Sequence, residues 1–373
     1  MNKIHKDLLS LVRAGLWGTT PDPEMFGSNV DWQSIYDLSK QQALLGIVLD
    51  GVNLLPENIR PPRMLYIKWC AEVLEIEDEN HRLDKEILNI YKLLRENNVE
   101  PVLMKGQGIA RNYRFPEHRS SGDIDIFVGR KDYDKVNGLF AREGKSPEKW
   151  EPRHRLFEWH NVIVENHKIL AVMNSPFKSS RLQKIVKKWH EDGDNEKIEF
   201  EGIEISLPPL DFDVVFILLH SVTHLLEEGL GLRQVCDWAN LLHNKRERIN
   251  RKKVVSLLKE LNLITPARVF GALSVIYLGL PEEDLIIPYN KQDIKAAEIL
   301  LDDIWYNGNF GFSGERIKKR PGGWFSERLY NMSNNIKRTN HLRKIAPSEA
   351  LWGPYKRLSN SVMSRWDKHH INT

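Results

Sequence analysis

Apolar residues in the first 98 positions recur at helical spacing. The clearest case is KWCAEVLEIEDENHRLDKEILNIYKLLRENN, where Leu83, Ile87, Ile90, Tyr91 and Leu94 form one stripe with charges elsewhere. Asn97-Asn98 marks its stop, and Pro56 and Pro61-Pro62 mark a break between helices upstream. Ile4, Leu8, Leu11 and Val12 predict a helix at the N-terminus in place of a signal peptide. The pattern then changes. Pro101 to Met104 is a short apolar run suited to a buried strand, and the segment from Gly106 to Tyr113 opens a helix. Asp123 to Val128 starts with the two-residue alternation of a strand, and Lys131 to Arg142 returns to helical spacing. Asn161 to Glu165 is another strand, and Lys197 to Leu207 alternates as a hairpin around Glu201-Gly202. After Pro208-Pro209, helices are predicted over 212–228, with Asp211 or Asp213 as cap, and over 231–244, 250–262 and 265–279.

The plan is a helical region at 1–98, an α+β core at 99–207, a helical region at 208–310 and a basic, aromatic tail at 311–373. The chain has 373 residues, of which 41% are apolar and 28% charged, with a net charge of +3. That composition fits an ordinary soluble protein and does not by itself point to nucleic acid or membrane. Only Cys70 and Cys236 occur, far apart and in helical segments, which argues against a disulfide framework or a cysteine-rich zinc site. No run of about 18 apolar residues exists, so no membrane span is predicted and the cytoplasm is the expected location. From Glu315 onward there are 13 Lys/Arg and four Asp/Glu, with Trp324, Trp352, Tyr355 and Trp366. Such a tail suits an anionic surface such as nucleic acid or a membrane. Its dispersed charges favour amphipathic helices docked on the body.

The chemistry centres on Asp123 and Asp125. Two residues apart on a strand, they point to one face, where like charges are costly unless neutralised. A divalent cation does this, and Mg²⁺ favours carboxylates together with phosphates. An Asp-x-Asp pair alone is a weak signal. Its surroundings add to it: Lys105, Gly106, Gln107 and Gly108 stand between a strand and a helix start, where backbone N–H groups can approach a phosphate. Read alone, the same stretch is a glycine turn with a solvated lysine. Arg119 is read either as a hold on Asp123 or a phosphate, or as a surface-loop arginine. Glu165 offers a third carboxylate for two-metal chemistry, with Glu158 as the nearby alternative.

Leu103-Met104-Lys105-Gly106, followed by Arg119-Ser120-Ser121-Gly122-Asp123-Ile124-Asp125-Ile126-Phe127-Val128, resembles the uncharacterised nucleotidyltransferase family of the DNA-polymerase-β-like superfamily. Val164-Glu165-Asn166-His167 resembles that family's acidic-x-His strand, and His220, His224, Leu232-Arg233 and Asp237 its helical segment. The resemblance spans about residues 75 to 260. It implies a minimal nucleotidyltransferase core, a small mixed sheet flanked by helices. It also implies that Asp123, Asp125 and Glu165 bind Mg²⁺ (or Mn²⁺), and that Lys105, Gly106, Gln107, Gly108 and Arg119 serve a nucleoside triphosphate. The implied reaction moves a nucleoside monophosphate onto a hydroxyl of a small molecule, a sugar, a protein or an RNA end. One departure is Gly106-Gln107, where the wider superfamily has Gly-Ser. It keeps open a second class, a regulatory, antitoxin-like module on the same fold. An RNA-binding protein working through its tail is a third.

Two further groups carry weaker signals. His220 and His224 have i, i+4 zinc spacing but lack the glutamate a zincin needs, since Ser221 stands there. They are expected between helices, paired with Asp237 or Arg233. Trp150, Arg153, His154, Arg155, Trp159 and His160 form an aromatic and basic cluster that suits either base or sugar stacking or a packed surface hairpin.

Overall fold

A computed structural model describes residues 1–27, 29–143, 153–227, 229–308 and 339–356. The helices at the N-terminus are α1 (Lys3–Trp17), α2 (Trp32–Gln41), α3 (Leu45–Asn53) and α4 (Arg63–Glu96). Asn2 and Asp31 cap α1 and α2, their side chains accepting from His5 N and Ser34 N. α4 begins just after Pro61-Pro62 and ends where expected: Asn98 takes a left-handed φ of 55° and Val99 N returns to Leu94 O.

The middle of the chain holds β1 (Val102–Met104), α5 (Gly106–Ala110), β2 (Asp123–Phe127), α6 (Gly129–Glu143), β3 (His154–Trp159) and β4 (Val162–His167). It continues with α7 (Pro176–Asp192), β5 (Glu196–Phe200) and β6 (Ile203–Leu207). The six strands form one mixed sheet in the order β3-β4-β2-β1-β6-β5. The β3–β4 hairpin turns at His160-Asn161, both at positive φ (46° and 68°), as tight hairpin turns demand. The other hairpin turns at Glu201-Gly202, as the alternation predicts. β2 runs parallel to β4 and antiparallel to β1, so it lies inside the sheet. The carboxylate pair therefore stands on an interior strand.

Helices α8 (Leu210–Glu227), α9 (Leu232–Lys245), α10 (Arg251–Glu260), α11 (Ile264–Leu278) and α12 (Lys291–Asn307) follow. α8 starts at Leu210, which puts Asp211 and Asp213 in its first turn and leaves neither as its cap. Helix α7 has no counterpart in the sequence reading. Only Leu182, Val186 and Trp189 of its residues are buried, too sparse a stripe to stand out.

The core forms two apolar clusters divided by the sheet. One gathers Leu103, Ile124, Ile126, Phe157 and Val164 against the second half of α4 and Phe140 of α6. The other joins Val102, Met104 and Phe127 to the large helical core, including Trp69 of α4, Phe216 of α8 and Trp238 of α9. α4 belongs to both and ties them together. Of the tail, residues 347–356 are helical and dock on the body. Glu349 accepts from Asn174 N at 2.5 Å and Lys356 pairs with Glu227 at 2.6 Å. Trp352 packs edge-on against Phe177. Trp150, Glu315, Trp324 and Trp366 lie outside the described residues. Cys70 is half-buried and Cys236 buried, both free thiols. Among the described residues no helix is long and apolar enough to cross a membrane.

Candidate active site

The two-residue period of the strands sets the site. Asp123 and Asp125 leave β2 on the face opposite Ile124 and Ile126, toward α8 and α9. Parallel pairing sets Asp125 beside Glu165 of β4, and the next same-face position of that strand is His167. His154 of β3 stands opposite His167. Ligand atoms of Asp123, Asp125 and Glu165 all lie within 4.8 Å of one another, as do those of His154, Glu165 and His167. Glu158 pairs with Ile163, at the far end of the same face and outside both groups. Glu165 is thus the carboxylate that joins the aspartates.

Lys105 closes the group. It sits at φ 50°, ψ −137°, a conformation a side-chain-bearing residue rarely adopts, and Gly106 follows at φ 38°. This turn leads the chain off β1 with the Lys105 Nζ 3.0 Å from Asp125 Oδ1. His167 Nε2 lies 2.6 Å from the same oxygen and 3.3 Å from Glu165. Burial works to raise the Asp125 carboxyl, but Lys105 and His167 hold it well below the ordinary range. Asp123 lacks such partners. The charge of Asp125, then burial, push its carboxyl up to about 6. Burial works to lower the Lys105 ammonium and the His167 imidazole, but the carboxylates raise both above their ordinary values.

Of the remaining predicted phosphate contacts, Gln107 and Gly108 are placed away from the cleft, whereas Arg119 lines it. Gln107 is buried and turned away from the cleft. Its amide donates to Asp84 and to Asn80 O, and its carbonyl accepts from Ser121. It braces α5 against α4 and the loop before β2. Gly108 faces β6, where a Cβ would come within 2.9 Å of the end of Leu207. Arg119 neither holds Asp123 nor lies on the surface. It is 4% exposed and closes its fork on Asp237 of α9, with Nε–Oδ1 2.7 Å and Nη2–Oδ2 2.9 Å. Its partner stands far along the chain, which hides the pairing from sequence.

A cleft of about 400 Å³ opens between this face of the sheet and helices α8 and α9. Lys105, Gly106, Asp123, Asp125 and Glu165 line one wall, and His220, His224 and Arg233 the other. His220 and His224 meet each other, Nε2 to Nε2 at 3.0 Å, in place of the expected pairing with Asp237 or Arg233. Burial, then the nearby Lys105 charge, keep His220 neutral. The aromatic and basic cluster divides. His154 enters the cleft, whereas Trp159 is buried on Phe140 and donates to Glu86, which His160 also meets. The sequence reading puts none of His154, His167 and Arg233 among the metal- or phosphate-binding residues: it gives His154 to a stacking or packed cluster and Arg233 to pairing with the histidines. His167 was within reach, two residues beyond Glu165 and so on its face. Arg233 and His154 reach the cleft only through tertiary packing.

A mixed sheet carrying an Asp-x-Asp pair beside a third carboxylate, covered by helices across a cleft, places the chain in the nucleotidyltransferase-like class of α+β proteins. Residues 28–279 match the family described as uncharacterised nucleotidyltransferase, and the chain belongs to that family. A search of curated proteins finds no match. Among solved structures, the chain is similar to an antigenic nucleotidyltransferase-like protein from Paracoccidioides brasiliensis. The identity is 10% and the TM-score 0.30, covering 50% of this chain and 88% of that one.

Proposed function

We propose that the protein transfers a nucleoside monophosphate from a nucleoside triphosphate to an acceptor hydroxyl, with Mg²⁺ or Mn²⁺ held by Asp123, Asp125 and Glu165. The observation that carries this reading is the close set of three carboxylates on one rigid face, with ligand atoms within 4.8 Å of one another. The set fits a divalent cation. It is all oxygen, it lines an open cleft, and Asp123 shows a carboxylate charge that the neighbouring cations leave under-compensated. Such a cation, when bound, stabilises charge on the transferring phosphoryl group.

The chain's own residues do the rest. Lys105 and His167 keep Asp125 ionised and oriented through its Oδ1. Lys105 stands among all three carboxylates, so its ammonium serves a phosphate only jointly with them. Asp123 must lose its proton before it can act as a ligand, which makes cation binding weaken below a pH of about 6. His220 is a neutral imidazole on the opposite wall, and can accept the proton of an acceptor hydroxyl.

Calorimetry with ATP, GTP, CTP and UTP, each with and without Mg²⁺, tests the reading. The wild type is expected to bind at least one nucleotide in a Mg²⁺-dependent way, and Asp123→Ala/Asp125→Ala to lose that binding by 100-fold or more. If folded wild type takes up none of the four, the transfer reading fails and the regulatory class gains.

A further inference from the structure

Resting on that reading, we infer that Arg233 forms an anion subsite for the outer phosphates of the nucleotide, on the wall facing the carboxylates. The argument begins with Asp237. Its carboxylate already accepts two bonds from the Arg119 fork and one from Tyr113 Oη at 2.8 Å. Arg233 reaches the same carboxylate only at 3.8 Å. That is its sole ion pair among the described residues, and its buried Nε has no hydrogen-bond partner. Two guanidinium groups therefore share one anion, whose accepting capacity the first has largely taken. Within the trio of Arg119, Arg233 and Asp237, two positive charges face one negative.

A cation left this way in a protein interior is costly unless something compensates it. Arg233 lines the cleft, with its side chain 15% exposed. Its charge acts on Asp123 across the space, but no ion pair within 4 Å joins them. The cleft thus has metal-binding carboxylates on one wall and an under-compensated guanidinium on the other. A ligand with anionic groups in series satisfies both at once, one group at the metal and the next on Arg233. A polyphosphate has this form, and a planar guanidinium donates to two of its oxygens together. A monophosphate reaches only one wall.

The test uses inorganic tripolyphosphate and pyrophosphate with Mg²⁺, and the four nucleoside triphosphates with their monophosphates. Calorimetry compares the full-length wild type with Arg233→Gln and Arg233→Lys, and thermal melts accompany each. Arg233→Gln is expected to weaken tripolyphosphate at least tenfold while changing monophosphate less than threefold, with Arg233→Lys between. Its melting temperature without ligand is expected to stay level or rise, because a surplus charge is removed. A purely structural arginine gives the opposite pattern, a lower melting temperature with tripolyphosphate affinity unchanged. Either that pattern or a wild type that ignores tripolyphosphate and pyrophosphate overturns the inference. If Arg233→Gln does not fold, an Arg233→Lys that binds tripolyphosphate like wild type overturns it too. Tripolyphosphate held through Arg233, with no nucleotide bound, sinks the transfer reading and leaves the subsite standing. Nucleotide binding indifferent to Arg233 does the reverse.

Discussion

On the face of the sheet turned to α6 and the second half of α4, the inward residues are apolar: Leu103, Ile124, Ile126, Phe157 and Val164. One residue along the same strands, the other face carries Asp123, Asp125, Glu165, His167 and His154. Both faces are covered by helices, but the apolar face is fully buried, whereas on the charged face Asp125 and His167 are buried and Asp123, Glu165 and His154 are half-buried along the cleft. The apolar face gains stability from contact and loses it when atoms are removed. The charged face holds Asp125 at 2% exposure among two cations and two more acids, an arrangement that interior charges tolerate only when paired. It also holds Lys105 in a strained backbone. The difference teaches that one face anchors the sheet so that the other can carry a constellation costly to fold. Substitutions should then separate the faces, with stability answering on one and cation binding on the other.

The largest separation is expected from Phe157→Ala. Phe157 is fully buried between Arg155 and Trp159 on β3 and packs on Phe140. Its loss should cost about 3–5 kcal/mol in urea unfolding, the range for a core aromatic. Mg²⁺-dependent nucleotide affinity of the folded fraction should change less than threefold. A variant with normal stability and lost affinity would break the division of labour between the faces.

Gln107→Ala sharpens the same contrast at the border between them. As a brace, Gln107 holds Asp84, Asn80 and Ser121 together, so its removal leaves buried partners unsatisfied and should cost about 1–3 kcal/mol. As a phosphate contact it would cost affinity with little change in stability. Chemical denaturation together with calorimetry distinguishes the two results.

The contrast between the faces also marks what a sequence makes legible. The Asp123/Asp125 pair needs only the strand period, and so does the apolar face that alternates with it. Helix ends such as Asn97-Asn98 are equally local. Pairing across the fold is a different matter. That Glu165 and not Glu158 joins the aspartates depends on the β2–β4 register, which no local pattern specifies. Arg119 looks like a loop residue until α9 brings Asp237 to it. Gln107 and Gly108 follow a glycine-rich turn whose two consecutive positive φ values turn them from the cleft, against the expectation that the whole run faces a phosphate. The family resemblance supplied the site's chemistry but not these directions.

The smallest effect expected is also the most diagnostic of the charged face. Asp123→Asn removes a carboxylate that folding places next to Asp125. The folded carboxyl ionises at about 6 against an ordinary 3.8, so between those values the folded state binds more protons than the unfolded chain. Stability then falls as pH rises through that window, and the full cost stands above pH 6. At pH 8 without divalent cation, Asp123→Asn should therefore be more stable than wild type by about 1–2 kcal/mol, at roughly 1.4 kcal/mol per pKa unit less what solvent screens. Well below pH 3.8 the Asp123 carboxyl is protonated in the folded and the unfolded chain alike, and the gain should vanish. Adding Mg²⁺ at pH 8 should stabilise the wild type and leave the variant unmoved, since the cation offsets the repulsion only where all three carboxylates remain. Urea unfolding at about pH 3 and at pH 8, with EDTA or Mg²⁺, reads all four conditions. A variant no more stable than wild type at pH 8 in EDTA would mean that the Asp123 charge is already compensated within the protein. The case for a cation at this face would then lose its electrostatic support.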